Sequence, residues 1–544
     1  MRRAPLPALS CRAVEPERPT NARPHVVIVG GGVGGLSAAV RLAAAGRCAV
    51  TLLEKNARVG GKLNLWEVPH PHRGRDERPF RFDTGPSLLT LPFVFEELFA
   101  AAGHRLGDHL DLVHLDPIAR FVWGDGQTFE LRATSEAMDA ELAKLAPADV
   151  AGWQAFADRG KRIWDLTANL FLYHAPEQVL AGKASPGGKF SPLDGLRMAT
   201  TPFRIGMFSA FSKVVDRHVA SPRLREVLYQ YATYSGASPF KAPATLAVIP
   251  HAEMHFGGWY PRGGMYALAV ALERIAGDLG VRIRTGCAVE QVLIERRGKH
   301  AHVTGVRLVG GETIPADAVV CNSDVVYTYR DLIDPAHRRK YRDATLDKLE
   351  PGGSGMVLLL GVEGTYPQLA HHTKFMPDDY TSDLRAMFET RTVPVDPCLY
   401  VCATTRTDDT QAPAGCENLF VLCSAPPLAA PQPSIDWAIE GQRYRDQVVA
   451  TLERKWGLTD LSRRIVVERR ITPADLKDLY NANAGSIYGI GSNSRRAAFL
   501  RPPNRDREVR GLYFAGGATH PGGGLPLVAL SGKIVSELVA DDLR

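Results

Sequence analysis

The spacing of apolar residues changes several times along the chain, and each change marks an element. His25–Val29 is an unbroken, mostly β-branched apolar run, the pattern of a parallel strand buried on both faces. Residues 36–45 are rich in Ala and Leu and predict a helix that Gly46 stops. Ala49–Leu53 predicts a second buried strand, with Glu54 at its end. Beyond a polar loop over 63–79, residues 80–82 predict a short strand running into the turn Asp83-Thr84-Gly85-Pro86-Ser87. Helical patterns follow at 92–102, from 135 to about 173 with a break at Pro147, and at 222–234, where Tyr229, Tyr231 and Tyr234 cluster. Ala119–Val122 and Thr128–Leu131 flank Gly124-Asp125-Gly126 and predict a hairpin. Residues 200–215 mix aromatic, aliphatic and basic side chains as an interfacial segment would, and a plain core helix explains the same pattern.

The character changes near residue 260. Tyr260-Pro261-Arg262-Gly263-Gly264-Met265 leads into a helix ending near Leu279-Gly280, and strands are expected at 281–284, 288–295, 302–308 and 314–321. Strands at 356–361, Leu399–Ala403 and 419–423, with a helix at 437–456, predict an α+β unit on a largely antiparallel sheet. A last buried strand at 511–515, a glycine-rich loop over 516–524 and a helix at 525–538 close the chain, with Pro526 suited to a first helical turn.

Bulk composition narrows the class without naming a function. A chain of 544 residues allows two or three domains. A hydrophobic share of 45% beside 23% charged residues fits a soluble globular protein. The net charge of +6 suits an anionic membrane surface and does not imply nucleic acid. No apolar run reaches the roughly 18 residues that a crossing helix needs. Residues 1–24, rich in Arg and Pro, are expected to form a disordered arm and not a secretory leader. The eight cysteines are scattered without a C-x-x-C pair, which favours a reduced, cytoplasmic setting. The pairs His70/His72 and His371/His372 lack further ligands at suitable spacing and are read as surface or hydrogen-bonding histidines, so no metal site is expected.

Chemistry enters with Gly30, Gly32 and Gly35, set in G-x-G-x-x-G order between the first strand and the first helix. Gly30 allows a tight turn, Gly32 lets a pyrophosphate approach bare backbone, and Gly35 lets helix and strand pack closely. Val33 and Gly34 complete the loop, and the helix N-terminus offers N–H groups and a positive dipole end to phosphates. Glu54, 24 residues after Gly30, can accept hydrogen bonds from ribose hydroxyls. Lys55 and a second glycine pair, Val59-Gly60-Gly61-Lys62, extend this fingerprint. The second glycine-rich loop, with Gly516, Gly517, Gly523, Gly524, Leu525 and Pro526, presents another helix N-terminus. No catalytic triad, carboxylate pair or metal cluster stands out, so the catalytic residue is left unassigned.

These stretches resemble the bacterial phytoene desaturase-type (carotenoid desaturase) FAD oxidoreductases of the amine oxidase superfamily. The resemblance runs from about His25 to Leu538 through VVIVGGGVGGLSAA, LEKNARVGGK, FDTGPSLLTLP, PRGGMYAL and FAGGATHPGGGLPLVALSGKIVSEL. It implies an α/β Rossmann-type FAD-binding domain interleaved with an α+β substrate domain and a helical subdomain. The expected division is an arm at 1–24, FAD-binding parts at 25–115, 261–335 and 481–544, substrate parts at 116–150 and 336–480, and a helical, membrane-facing unit at 151–260. It implies that Gly85, Pro86 and Ser87 lie beside the flavin ring and that Val289 passes the adenine. It implies non-covalent FAD, a hydrophobic polyene substrate, peripheral attachment to the inner face of the membrane, and quinone or dioxygen as electron acceptor. The implied reaction is desaturation of a phytoene-like or diapophytoene-like polyene by hydride transfer to flavin N5. Tyr488-Gly489, Ala497-Ala498-Phe499-Leu500 and PGGGLPL are closer to relatives acting on diapo or hydroxylated carotenoids. A hydroxycarotenoid 3,4-desaturase, a carotenoid terminal oxidase, a carotene isomerase and a prenyl-lipid carrier therefore stay open as alternatives.

Overall fold

The computed structural model describes residues 23–74, 77–180, 201, 204–429, 435–493 and 501–543. The expectations for most of the arm at 1–24, for the Pro-Gly-Gly stretch before residue 201 and for Ala497 to Leu500 lie outside these residues.

The first strand, β1 (His25–Val29), is the centre of a five-stranded parallel sheet. On one side lies β2 (Ala49–Leu53), with Val27 opposite Thr51, and then Arg282–Arg284. On the other lies Ala318–Cys321, with Val27 opposite Val319, and then Leu512–Phe514. Val26, Val27 and Ile28 are fully buried, as an all-apolar strand in a covered parallel sheet must be. The helix α1 (Val33–Ala44) crosses from β1 to β2 and packs on the C-terminal helix Leu525–Asp542, where the Ser37 hydroxyl donates to Ala529 O at 2.7 Å. Helix α1 starts three residues before the predicted 36, because Gly32 already sits at its N-cap and accepts the Leu36 N–H at 2.9 Å. A smaller sheet of Val289–Arg297, His300–Leu308 and Thr313–Pro315 is antiparallel, with Val509–Arg510 added in parallel.

One expected element divides. Residues 314–321 are two strands in two sheets, not one. Asp317 makes the crossing: its N–H donates to His25 O at 2.9 Å, and its carboxylate accepts the His25 N–H at 2.8 Å.

The third sheet has seven strands in the order Ile465–Ile471, Ser354–Glu363, Cys416–Ala425, Leu399–Ala403, His372–Phe375, Ala119–Val122, Thr128–Leu131. Every pair is antiparallel except His372–Phe375 with Ala119–Val122. Period-two alternation sorts its faces. Leu358, Leu360, Val401 and Val421 pack on helix Trp437–Arg454, while Val357, Leu359, Cys402 and Phe420 face the other way. A helical layer closes the far end of the sheet, where Trp153, Phe156, Phe211, Val215 and Leu228 meet Phe121 and Phe129. Helix Phe211–His218 thus turns its apolar face into this core, as the plain-helix reading of 200–215 required, with Phe208 left exposed. Among the described residues no helix is long and apolar enough to cross a membrane.

Candidate active site

Gly30 leaves β1 with φ at +103°, and its N–H donates to Leu53 O at 2.7 Å, which pins the turn to β2. A side chain at Gly35 would place Cβ 2.2 Å from Gly30 O, so glycine is what lets α1 begin against β1. The second turn is bonded to the first: Gly60, at φ +110°, donates its N–H to Gly31 O at 2.8 Å. Glu54 is buried at the end of β2. Its carboxylate accepts the N–H groups of Gly31 and Asn56, each at 2.8 Å. The amide nitrogen of Asn322, at the end of Ala318–Cys321, donates to Gly30 O at 3.1 Å and closes the loop from beneath.

Two part-buried cations stand at this end of the site. Lys62 Nζ donates to Ile487 O at 2.5 Å and Ser486 O at 3.1 Å. Burial pushes its ammonium down to about 8, against the opposing pull of Asp324. Arg501 donates to Ser492 Oγ at 3.0 Å and Gly517 O at 3.3 Å, and burial lowers its guanidinium to about 10. Asp324 is itself held above the usual carboxylate range by burial, with the Val326 N–H and Lys62 working against that. Lys55 turns away and donates to Asp478 O and to Asn481 Oδ1, both at 2.7 Å.

The C-terminal loop closes over the same space. The Gly516 N–H donates to Ser531 Oγ at 3.1 Å, and Ser531 Oγ donates to His520 O at 2.9 Å. These bonds fix the entry to Leu525–Asp542, whose N-terminus carries Leu525 and Pro526.

Every sequence-predicted position except Gly35 lines one cavity of about 1420 Å³: Gly30, Gly32, Val33, Gly34, Glu54, Lys55, Gly60, Gly61, Lys62, Gly85, Pro86, Ser87, Val289, Gly516, Gly517, Gly523, Gly524, Leu525 and Pro526. The cavity does not stop at the glycine loops. It runs on into a mainly apolar chamber walled by Trp164, Phe171, Leu246, Ile249, Met376 and Phe420. Asp83 joins two loops. Its carboxylate accepts the N–H groups of Met265 at 2.8 Å and Tyr266 at 3.0 Å, tying the PRGGM loop to the turn that carries Gly85 to Ser87. Burial pushes this carboxyl up to about 6.

At the junction of turn and chamber, the Ser87 hydroxyl lies 2.6 Å from Tyr400 Oη, which lies 2.7 Å from His372 Nδ1. His371 and His372 are buried, which selects the hydrogen-bonding reading over the surface one. Both hydrogen-bond, His371 Nδ1 lying 2.6 Å from Thr407 Oγ1. Burial drives the His371 imidazole down to about 3 and His372 well below its ordinary value, so both are neutral. With Cys402 they bring donor atoms within 4.8 Å of one another. His70 is also buried, against Glu363.

Sequence reasoning missed Asn322, Asp324, Tyr400 and Arg501. Asn322 and Asp324 stand in the stretch from Ala318 to Asp324, which resembles the family's strand-to-turn returning to the cofactor domain without marking either residue for a role. Tyr400 is a polar-tipped residue in an alternating strand. Arg501 carries no local pattern at all.

Comparison with known proteins places this geometry in a family. The model of the flavin-containing amine oxidoreductases matches residues 33–411. A 4,4'-diapolycopene oxygenase of Methylomonas is 36% identical over 96% of this chain and 100% of its own length. A 4,4'-diaponeurosporene oxygenase of Staphylococcus aureus is 35% identical over 95% of this chain and 98% of its own. Among solved structures, an oxidoreductase from Methanosarcina mazei shares the fold at a TM-score of 0.60 and 14% identity, covering 94% of this chain and 100% of its own. A cyclohexylamine oxidase from Brevibacterium oxydans does so at 0.57 and 14%, covering 96% of this chain and 99% of its own.

The residues fit FAD. Beside Gly524, where the long C-terminal helix begins, an added Cβ would meet nothing within 4 Å, so that helix end opens onto free space in the cavity. Among the described residues Asp324 is the one charged partner that Lys62 and Arg501 face, and the pair supplies the cationic surplus that a pyrophosphate or a reduced isoalloxazine would balance. On this match and this site, the chain belongs to the flavin-containing amine oxidoreductase family and is an FAD-dependent oxidoreductase.

Proposed function

We propose that this enzyme oxidises the end of a linear carotenoid, converting a terminal methyl group to an aldehyde with dioxygen as co-reactant. The observation that carries the reading is the full-length similarity to two linear-carotenoid oxygenases, taken with a cavity that joins the dinucleotide end to an apolar chamber. The balance is one methyl group and one dioxygen giving one aldehyde and one water. FAD, when bound, supplies the electron-transfer chemistry that no side chain can. Gly30, Gly32, Val33, Gly34 and Gly35 would cradle its pyrophosphate, Glu54 its ribose, Val289 its adenine, and Gly85 to Ser87 with the 516–526 loop its ring. The chamber orients a rod-like hydrocarbon and excludes water. Such a substrate resides in lipid, which supports attachment to a membrane surface. Desaturation is the second reading, favoured by the FDTGPSLLTLP and C-terminal wording.

Co-expression in a bacterium that accumulates a linear hydrocarbon carotenoid separates the two. Terminal oxidation predicts products that gain oxygen and lose two hydrogens at a chain end. Products that lose hydrogens without gaining oxygen would establish desaturation instead.

A further inference from the structure

The mainly apolar chamber also receives polar side chains from its helical layer. Gln230, Thr245 and Glu253 come from three separate helical elements, and all three line the cavity. They are 3%, 8% and 3% exposed. Both amide atoms of Gln230 and the Thr245 hydroxyl have no hydrogen-bond partner among the described residues, and the Glu253 carboxyl also faces the Tyr234 hydroxyl. One Glu253 oxygen accepts from Tyr231 Oη at 2.7 Å, so this carboxyl is held and not mobile. Lys374 lines the same wall, buried, with Nζ 5.1 Å over the Tyr234 ring and 5.7 Å over that of Tyr400.

Burying a polar group without a partner is unfavourable. Several such groups converging from different elements on one cavity describe a site whose partner is a ligand atom. The cluster also sits at the cofactor end of the chamber. Lys374 is two residues from His372 on one strand, and the Tyr400–Ser87 pair leads from there to the Gly85 turn. From the other side, a methyl at Gly236 would lie 3.3 Å from Tyr488 Cβ, and one at Gly523 would lie 3.3 Å from Tyr488 Cδ1.

We infer that Gln230, Thr245, Glu253 and Lys374 form a subsite for the oxygen atom of a polyene whose end already bears a hydroxyl or aldehyde group. Donors (Gln230 Nε2, Thr245 Oγ1, Lys374 Nζ) serve a carbonyl oxygen, and acceptors (Gln230 Oε1, Glu253) serve a hydroxyl hydrogen. The inference rests on the proposed carotenoid substrate and narrows it: the enzyme retains the partly oxidised end and not only the hydrocarbon.

The test is equilibrium binding, read by the polyene absorption shift, with FAD-loaded protein in detergent micelles. The probes are a linear polyene hydrocarbon and its terminal aldehyde of equal length. Wild type is expected to hold the aldehyde about tenfold more tightly, the effect of one or two buried hydrogen bonds. Gln230→Leu and Lys374→Met should each reduce that preference while leaving hydrocarbon affinity within about twofold, and retained FAD absorbance shows that the variants are folded. Equal affinity of wild type for both probes overturns the subsite alone. Binding of neither probe overturns the carotenoid reading together with it.

Discussion

With Lys62 facing the cofactor, as proposed, its protonation state would be coupled to FAD binding. Burial sets its ammonium at about 8 in the free protein. A bound anionic cofactor favours the charged form, so the group's value rises on binding. FAD affinity should then be level below about pH 8 and fall by up to tenfold per pH unit above it, until the bound-state value is reached. Titrating apoprotein with FAD between about pH 7 and pH 9, following flavin fluorescence, reads this slope directly. Lys62→Met should bind more weakly at neutral pH and show a flat profile. A flat wild-type profile would mean that Lys62 does not face the cofactor. The glycines of the first turn were legible in the sequence because their spacing is local. Lys62, Arg501 and Asp324 act together only after folding brings together residues hundreds of positions apart, so that cluster was not.

At the scale of elements, the seven-stranded sheet decides where substrate space can exist. Its strands alternate between a face packed on helix Trp437–Arg454 and a face toward the Phe80 and Phe82 side. Leu358 is fully buried on the helix side. Leu358→Ala is expected to cost about 2–5 kcal/mol of stability while FAD content per folded molecule stays unchanged. Chemical denaturation followed by far-ultraviolet dichroism checks the first part, and a cost below about 1 kcal/mol would contradict the packing described. Periodicity located most of these strands, because alternation of apolar residues is a property of neighbours. It failed at 314–321, where Pro315 and Asp317 break the apolar run and mark the point at which the chain passes from one sheet to another. His371 and His372 take the hydrogen-bonding half of their reading, and nothing local distinguishes a histidine bonded to Thr407 or Tyr400 in the interior from one at the surface.

The molecule as a whole is built to make one space out of three sheets and a helical layer. The dinucleotide loops come from both ends of the chain, and the apolar chamber comes from the middle, yet one cavity of about 1420 Å³ contains both. The α/β fold class and FAD could be read from the loops. The continuity of the cavity could not, because it depends on where Gln230, Glu253 and Lys374 lie relative to Ser87 and Tyr400. In the proposed reaction, that continuity is what would bring a polyene end to the cofactor. The most direct measurement is to supply purified, FAD-loaded protein with a linear hydrocarbon carotenoid under isotopically labelled dioxygen, trap aldehydes with borohydride, and weigh the products. The proposed reaction predicts a terminal alcohol carrying one labelled oxygen. An unlabelled oxygenated product, or a hydrocarbon that has only lost hydrogen, would contradict it.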